Sequence, residues 1–229
     1  MMVLPGVDAG SIPQILDLHT RRPDCTAICA GLHPTEIHPE NWREHLEAIE
    51  AELRSDRPYV AVGEMGLDLY WEQDQLPLQL EAAEAQLQLA DELGLPAVIH
   101  CREAIPLMLD LMEARRGRLP QMVFHCYSGT ADDVDRLRRL APDTMFGIGG
   151  VVTFKKSPLP AILPKIGIDH ILLETDAPWL APVPLRGRQN ESSYLPHIAQ
   201  RIADELQLTV EEVDARTTAN AVGFFKLAD

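Results

Sequence analysis

The chain has 229 residues, of which 46% are hydrophobic and 24% charged, with a formal net charge of −15. This length suits one α/β barrel domain, which needs about 200 residues or more. The acidic balance disfavours an extended basic surface for nucleic acid but permits a small site for a few phosphates. Since neither a membrane-length apolar run nor a charged leader is apparent, we expect a cytoplasmic protein.

Short apolar runs alternate with amphipathic segments along the chain, which predicts parallel strands connected by helices. The predicted strands are 2–4, 26–32, 58–64, 96–100, 121–125, 144–148 and 171–176. The predicted helices are 12–18, 41–54, 74–93, 104–114, 130–140, a short one from 158, and a helical C-terminal third that includes the capping box Thr209–Glu212.

That count gives seven strands, whereas a closed barrel of this type has eight. The first predicted strand also stands at the very start of the sequence. We therefore expect a single domain over residues 1–229, a TIM (β/α)8-type barrel that lacks its first strand-helix unit.

Four of the apolar runs lead into a residue of a metal-binding type. These residues are Glu64, His100, His125 and Asp176. Because active-site side chains of such barrels stand at the carboxyl ends of the strands, we expect the four to converge as ligands of a hydrolytic metal site. Histidine with carboxylate suits Zn or Mn, and Mg is tolerated, so the metal stays open.

Each candidate has a less specific alternative. Glu64 could lie in a surface turn, His100 and His125 could be core histidines, and Asp176 could cap the turn before a proline. A carboxylate at a buried strand end costs free energy unless it is paired or coordinated, which favours metal binding by Glu64. Asp68 is expected to support that site or to cap the loop after it.

Basic residues follow several of the predicted strands. Arg102, Lys155 and Arg186 are the candidates for contacts with an anionic substrate, since they stand in loops at the expected active-site end. His33 is a further candidate for substrate binding, with a role in the turn before Pro34 as the alternative.

Taken together, these segments resemble the TatD-type metal-dependent deoxyribonuclease family, and they occur in family order across nearly the whole chain. The resemblance implies a TIM barrel that cleaves DNA phosphodiesters with two divalent metals. The matching stretches are Gly31–Pro34, Gly63–Asp68, Ile99–Ala104, Phe124–Gly129, Glu174–Pro178, Arg186–Asn190 and Thr218–Asn220.

The resemblance also implies roles. Glu64 would bridge two metals, His100 and His125 would complete one of them, and Asp176 would bind the other and accept the proton of the attacking water. Arg102, Lys155 and Arg186 would contact phosphate.

The family opens with a His-x-His pair on its first strand, and no such pair occurs here, so one metal rather than two is possible. Two alternatives stay open: hydrolysis of another ester or an amide bond, and a non-catalytic relative. Expected partners are DNA or another phosphodiester, with no membrane, in a monomer or small homo-oligomer.

Overall fold

The computed structural model describes residues 1–227. The strands are β1 (Met2–Leu4), β2 (Thr26–Ala30), β3 (Tyr59–Asp68), β4 (Ala97–Arg102), β5 (Met122–Phe124), β6 (Met145–Ile148) and β7 (Ile171–Leu173). The helices are α1 (Ile12–Arg21), α2 (Trp42–Leu53), α3 (Leu76–Leu93), α4 (Ile105–Ala114), α5 (Ala131–Leu140), α6 (Leu159–Ile166), α7 (Leu195–Leu206) and α8 (Val210–Phe225).

The alternation of strands and helices is as predicted. Within residues 1–227 the sheet has seven strands, ordered β1 to β7 as they occur along the chain, which confirms the predicted count. The pairings β1–β2, β2–β3, β3–β4 and β6–β7 are all parallel. The chain packs as two compact units, Met1–Val123 and Phe124–Asp229.

The sheet of the first unit is buried on both faces, as continuous apolar strands require. Every residue of β2 is buried, and nine of the ten residues of β3 are. The two strands β3 and β4 approach closely where Gly66 faces His100, because a Cβ at Gly66 would lie 2.0 Å from the carbonyl oxygen of His100. Only glycine permits this approach at the observed φ of 140°.

Three strand ends differ from the prediction in this unit, and the first is that of β2, which ends at Ala30 rather than at residue 32. β3 continues four residues beyond Glu64, to Asp68, and β4 continues beyond His100 to Arg102. The reason is that the parallel ladder resumes after an irregularity between Val62 and Met65 and then persists to the pair Asp68–Arg102. Glu64 and His100 therefore lie inside their strands, and the strand ends carry Asp68 and Arg102.

The second unit begins with the end of β5, which stops at Phe124, one residue before the predicted end, so His125 follows the strand directly. β7 ends at Leu173, so Asp176 lies in the loop after the strand rather than at its last residue. Asp176 takes a left-handed backbone conformation, with φ of 57°, which aspartate adopts more readily than most residues.

Helix ends in the second unit follow their sequence signals. Thr130 and Asp133 form a capping box at α5, and Thr209 forms the predicted one with Glu212 at α8. The side chain of Asn220 in α8 donates hydrogen bonds to the carbonyl oxygens of Ile168 and Ile171, before and at the start of β7, at 2.8 and 2.9 Å. Among the described residues, no helix is both long and apolar enough to cross a membrane.

Candidate active site

The first unit brings together Glu64, His100 and His33, the last of which the sequence suggests as a substrate contact. Glu64 is 7% exposed, and its Oε1 lies 3.1 Å from Nδ1 of His100 and 3.4 Å from Nε2 of His33. One ligand atom from each of the three residues lies within 4.8 Å of the others. Thr35 orients the His33 ring, since Nδ1 accepts a hydrogen bond from its backbone N–H.

Asp68 supports this cluster from the end of β3. Its Oδ2 lies 2.8 Å from Nε2 of His100, while its Oδ1 accepts hydrogen bonds from the backbone N–H groups of Tyr70 and Trp71 at 2.9 and 2.8 Å. With Asp68 on Nε2, Nδ1 is the His100 nitrogen that faces Glu64. Asp68 thus combines the two roles considered from the sequence, a support for the site and a cap for the loop.

The protonation of this pair follows from its contacts. Burial lowers the pKa of His100, but the hydrogen bonds to Asp68 and Glu64 outweigh burial and raise the pKa above its usual value. Burial likewise raises the pKa of Asp68, but the hydrogen bond to His100 and those from the loop N–H groups lower it overall. The metal-free cluster therefore favours an imidazolium–carboxylate pair.

Two buried glutamines of α3, which were not among the residues predicted from the sequence, hold the backbone around this cluster. Gln79 accepts a hydrogen bond from the Asp68 N–H at 2.8 Å and donates to the carbonyl oxygens of Asp68 and Glu72. Gln86 accepts from the Leu32 N–H at 2.8 Å and donates to the Leu32 carbonyl, next to His33. Both side chains are fully buried. The feature of the sequence that could have identified them is a polar residue on the apolar face of a predicted helix.

The second unit brings His125 and Asp176 together, with Nε2 of His125 3.7 Å from Oδ1 of Asp176. It also reveals Glu174, which was not a predicted site residue. Glu174 lies 2.8 Å from Nδ1 of His125 and accepts a hydrogen bond from the Cys126 N–H at 2.9 Å. A carboxylate on one ring nitrogen fixes the imidazole and orients the other nitrogen, as in many metal sites.

The three predicted phosphate contacts are all exposed. The guanidinium of Arg102 lies 3.7 Å from the centre of the Tyr70 ring, and that of Arg186 lies 3.8 Å from the Phe154 ring. Lys155 follows Phe154 directly. Arg186 also lines a cavity of about 510 Å³ formed by residues 178–181 and 186–189.

Buried Asn190 braces the loop beside this cavity. Its side-chain amide donates hydrogen bonds to the carbonyl oxygens of Thr175 and Trp179, both at 2.7 Å. The segment that carries Asp176 is therefore tied to the segment that follows Arg186.

The donor set in the first unit fits a divalent cation. A buried carboxylate with two imidazole nitrogens is the combination that zinc and related metals bind in hydrolytic sites. The second unit offers one imidazole nitrogen and one carboxylate, from His125 and Asp176, with Glu174 on the other nitrogen of the histidine.

Comparison with known proteins identifies the family. A family model described as TatD related DNase matches residues 1–226. The 3'-5' ssDNA/RNA exonuclease TatD of Edwardsiella piscicida is 39% identical, with 99% of this chain and 88% of that protein covered. The uncharacterized metal-dependent hydrolase YabD of Bacillus subtilis (strain 168) is 32% identical, with 99% and 87% covered.

A solved structure is similar over the same extent. The TatD homolog YJJV from Escherichia coli k12 matches with a TM-score of 0.89 at 25% identity, over 99% of this chain and 86% of that one. The fold class is thereby confirmed as an α/β fold of the TIM-barrel type. With a family model spanning nearly the whole sequence, the chain belongs to the TatD related DNase family.

Proposed function

We propose that this member of a metal-dependent hydrolase family cleaves phosphodiester bonds at the 3' end of single-stranded DNA or RNA. The observation that carries the proposal is the buried cluster of His33, Glu64 and His100, which offers a carboxylate and two imidazoles within 4.8 Å of one another. The names of the relatives, an exonuclease and a metal-dependent hydrolase, support the same chemistry.

Within the first unit, Glu64, His100 and His33 would hold a divalent cation, Mg, Mn or Zn. The cation would supply positive charge, which polarises a phosphoryl oxygen and lowers the pKa of water toward neutrality. Asp68 keeps the His100 ring oriented through Nε2, and Thr35 does so for His33 through Nδ1. The proposal allows one or two metals per chain, which metal analysis of the purified protein distinguishes.

Within the second unit, His125 and Asp176 are proposed as further ligands, and Asp176 as the group that accepts a proton from the attacking water. Glu174 holds the His125 ring in place for that role. Arg102 and Arg186 are proposed to bind phosphate oxygens, since an exposed guanidinium held over an aromatic ring leaves the N–H donors at its edge available. Lys155 is proposed to do so through its exposed ammonium group.

Replacement of the ligands tests the proposal. Glu64→Ala and His100→Ala should each lower nucleotide release from single-stranded DNA, assayed with added Mg, Mn or Zn, by at least about 100-fold. His38→Ala, which removes an exposed loop histidine, is the matched control and should leave the rate unchanged. Metal content, measured on the same proteins by mass spectrometry, should fall with the ligands and not with the control. Full activity in His100→Ala would refute the proposed site.

The substrate class has its own test. Bis(p-nitrophenyl) phosphate should be hydrolysed and p-nitrophenyl acetate should not, whereas the reverse would favour another ester as the substrate. A cytoplasmic location and a monomeric or small homo-oligomeric state belong to the same proposal. Cell fractionation and light scattering measure them.

A further inference from the structure

Two aromatic side chains stand exposed on the turn directly after β3. Tyr70 is 48% exposed and Trp71 is 65% exposed, which is unusual for side chains of this size. Their rings meet edge to face, with centroids 4.7 Å apart. The guanidinium of Arg102, from the end of β4, lies 3.7 Å from the Tyr70 ring centre and 5.7 Å from that of Trp71. We refer to Tyr70, Trp71 and Arg102 as the aromatic platform.

The platform is held in a fixed position. The backbone N–H groups of Tyr70 and Trp71 both donate to Oδ1 of Asp68, a residue that is 1% exposed. The side chain of Gln79 binds the carbonyl oxygens on either side of the turn, those of Asp68 and Glu72. An exposed tryptophan on a turn that is bound at both ends presents a preorganised surface, so little ordering entropy opposes binding.

The platform is adjacent to the proposed metal cluster. The same Asp68 carboxylate that binds the turn through Oδ1 binds Nε2 of His100 through Oδ2 at 2.8 Å. The turn that carries the platform and a residue proposed to hold the metal are therefore joined through a single side chain, that of Asp68. This proximity indicates a part of the substrate rather than an unrelated partner.

The charge of the platform indicates which part of the substrate it binds. Within residues 1–227 no carboxylate forms an ion pair with Arg102, although the chain has 35 acidic residues. A guanidinium without a carboxylate partner, beside an exposed indole, offers one donor set for a phosphate and one flat surface for a base. Bases in a duplex have their faces covered by their neighbours, whereas bases in a single strand can stack on aromatic side chains.

We propose that Trp71, supported by Tyr70 and Arg102, stacks on a nucleobase of single-stranded nucleic acid while Arg102 contacts the adjacent phosphate. The inference rests on the proposed function for its substrate class. It adds a binding site for the strand that works by stacking, and such a site tolerates any base and both DNA and RNA.

Binding without turnover tests the platform directly. The probe is a fluorescein-labelled oligonucleotide of about 10 nucleotides, either oligo(dT) or oligo(rU), titrated with protein in EDTA and followed by anisotropy. Trp71→Leu should weaken binding between about 5-fold and about 100-fold for both probes, since it removes one stacked base. Trp71→Phe should recover part of the loss. Arg43→Ala, which removes an arginine stacked 4.1 Å over Trp42, is the matched control and should bind as the parent does.

Turnover separates this inference from the proposed function. Trp71→Leu should raise KM for the oligonucleotide with little change in kcat, because stacking holds the strand and does not touch the reacting phosphate. Unchanged anisotropy and KM would overturn the inference even if the parent protein is an active nuclease. A change of oligomeric state in Trp71→Leu with unchanged oligonucleotide binding would also overturn it, because the platform would then be a contact between copies. Lack of any hydrolysis by the parent would instead overturn the proposed function.

Discussion

The buried amide of Gln79 provides a sensitive test of how the site is built. Replacing it with leucine keeps the volume but leaves the N–H and the carbonyl of Asp68 without their partners. The carbonyl of Glu72 loses one of two hydrogen bonds, because it also accepts from the Gln75 N–H at 3.3 Å. At about 1 kcal/mol for each unsatisfied buried group, and after allowing for the apolar gain of leucine, we expect a loss of about 1–2 kcal/mol in the free energy of unfolding. At about 2–4 °C per kcal/mol in a chain of this size, the melting temperature should fall by about 2–8 °C.

Differential scanning calorimetry measures this shift, and the same helix provides the control. Gln88 is exposed and bonds only to the exposed Glu92 at 2.8 Å. Gln88→Leu should therefore change the free energy of unfolding by about 0.5 kcal/mol or less. Equal melting temperatures for Gln79→Leu and Gln88→Leu would show that the amide of Gln79 does not hold the end of β3, and the reasoning would fail.

Two further predictions concern the histidines. A Cβ at Gly147 would lie 2.2 Å from Oε2 of Glu174. Gly147→Ala should therefore displace that carboxylate and lower activity about 10- to 100-fold, with little loss of stability. The control is Gly223→Ala, which has open space around its Cβ and should leave activity unchanged. Because the pKa of His100 is raised, Mn must displace a proton from His100 when it binds. The affinity of the protein for Mn should therefore rise as pH increases through that pKa. Asp68→Asn should move the midpoint of this rise to lower pH, as measured by isothermal titration calorimetry. In the metal-free protein, the raised pKa of His100 also contributes to the free energy of unfolding. This contribution is fully present below about pH 6.5 and is lost as pH rises through the raised pKa. Thermal unfolding scans at a series of pH values measure it. A midpoint that does not move in Asp68→Asn would contradict the assigned cause.

The features that depend on local pattern could be predicted from the sequence. Apolar runs located the seven strands, and the capping box at Thr209 marked the start of α8. The same apolar runs singled out Glu64, His100, His125 and Asp176, which the sequence predicts to converge on one site; the contacts within the units are those of Glu64 with His100 and of His125 with Asp176.

The rest depends on contacts between segments that are distant in sequence. Glu174 sits inside an apolar run, and only the fold shows that it reaches His125, 49 residues earlier. His33 was considered as a substrate contact, because nothing in its own segment indicates that Glu64 lies 3.4 Å away. The ends of β3 and β4 were placed too early because pairing between the strands, and not local sequence, extends them.

The geometry of α3 limits how its length can change. Gln79 and Gln86 are seven residues apart, which is almost two full turns, so both amides leave the helix in the same direction and reach separate stretches of backbone. An insertion or deletion of one residue between them would rotate one amide by about 100° relative to the other and detach it from its partner. The number of residues in that interval is therefore set by the two amides.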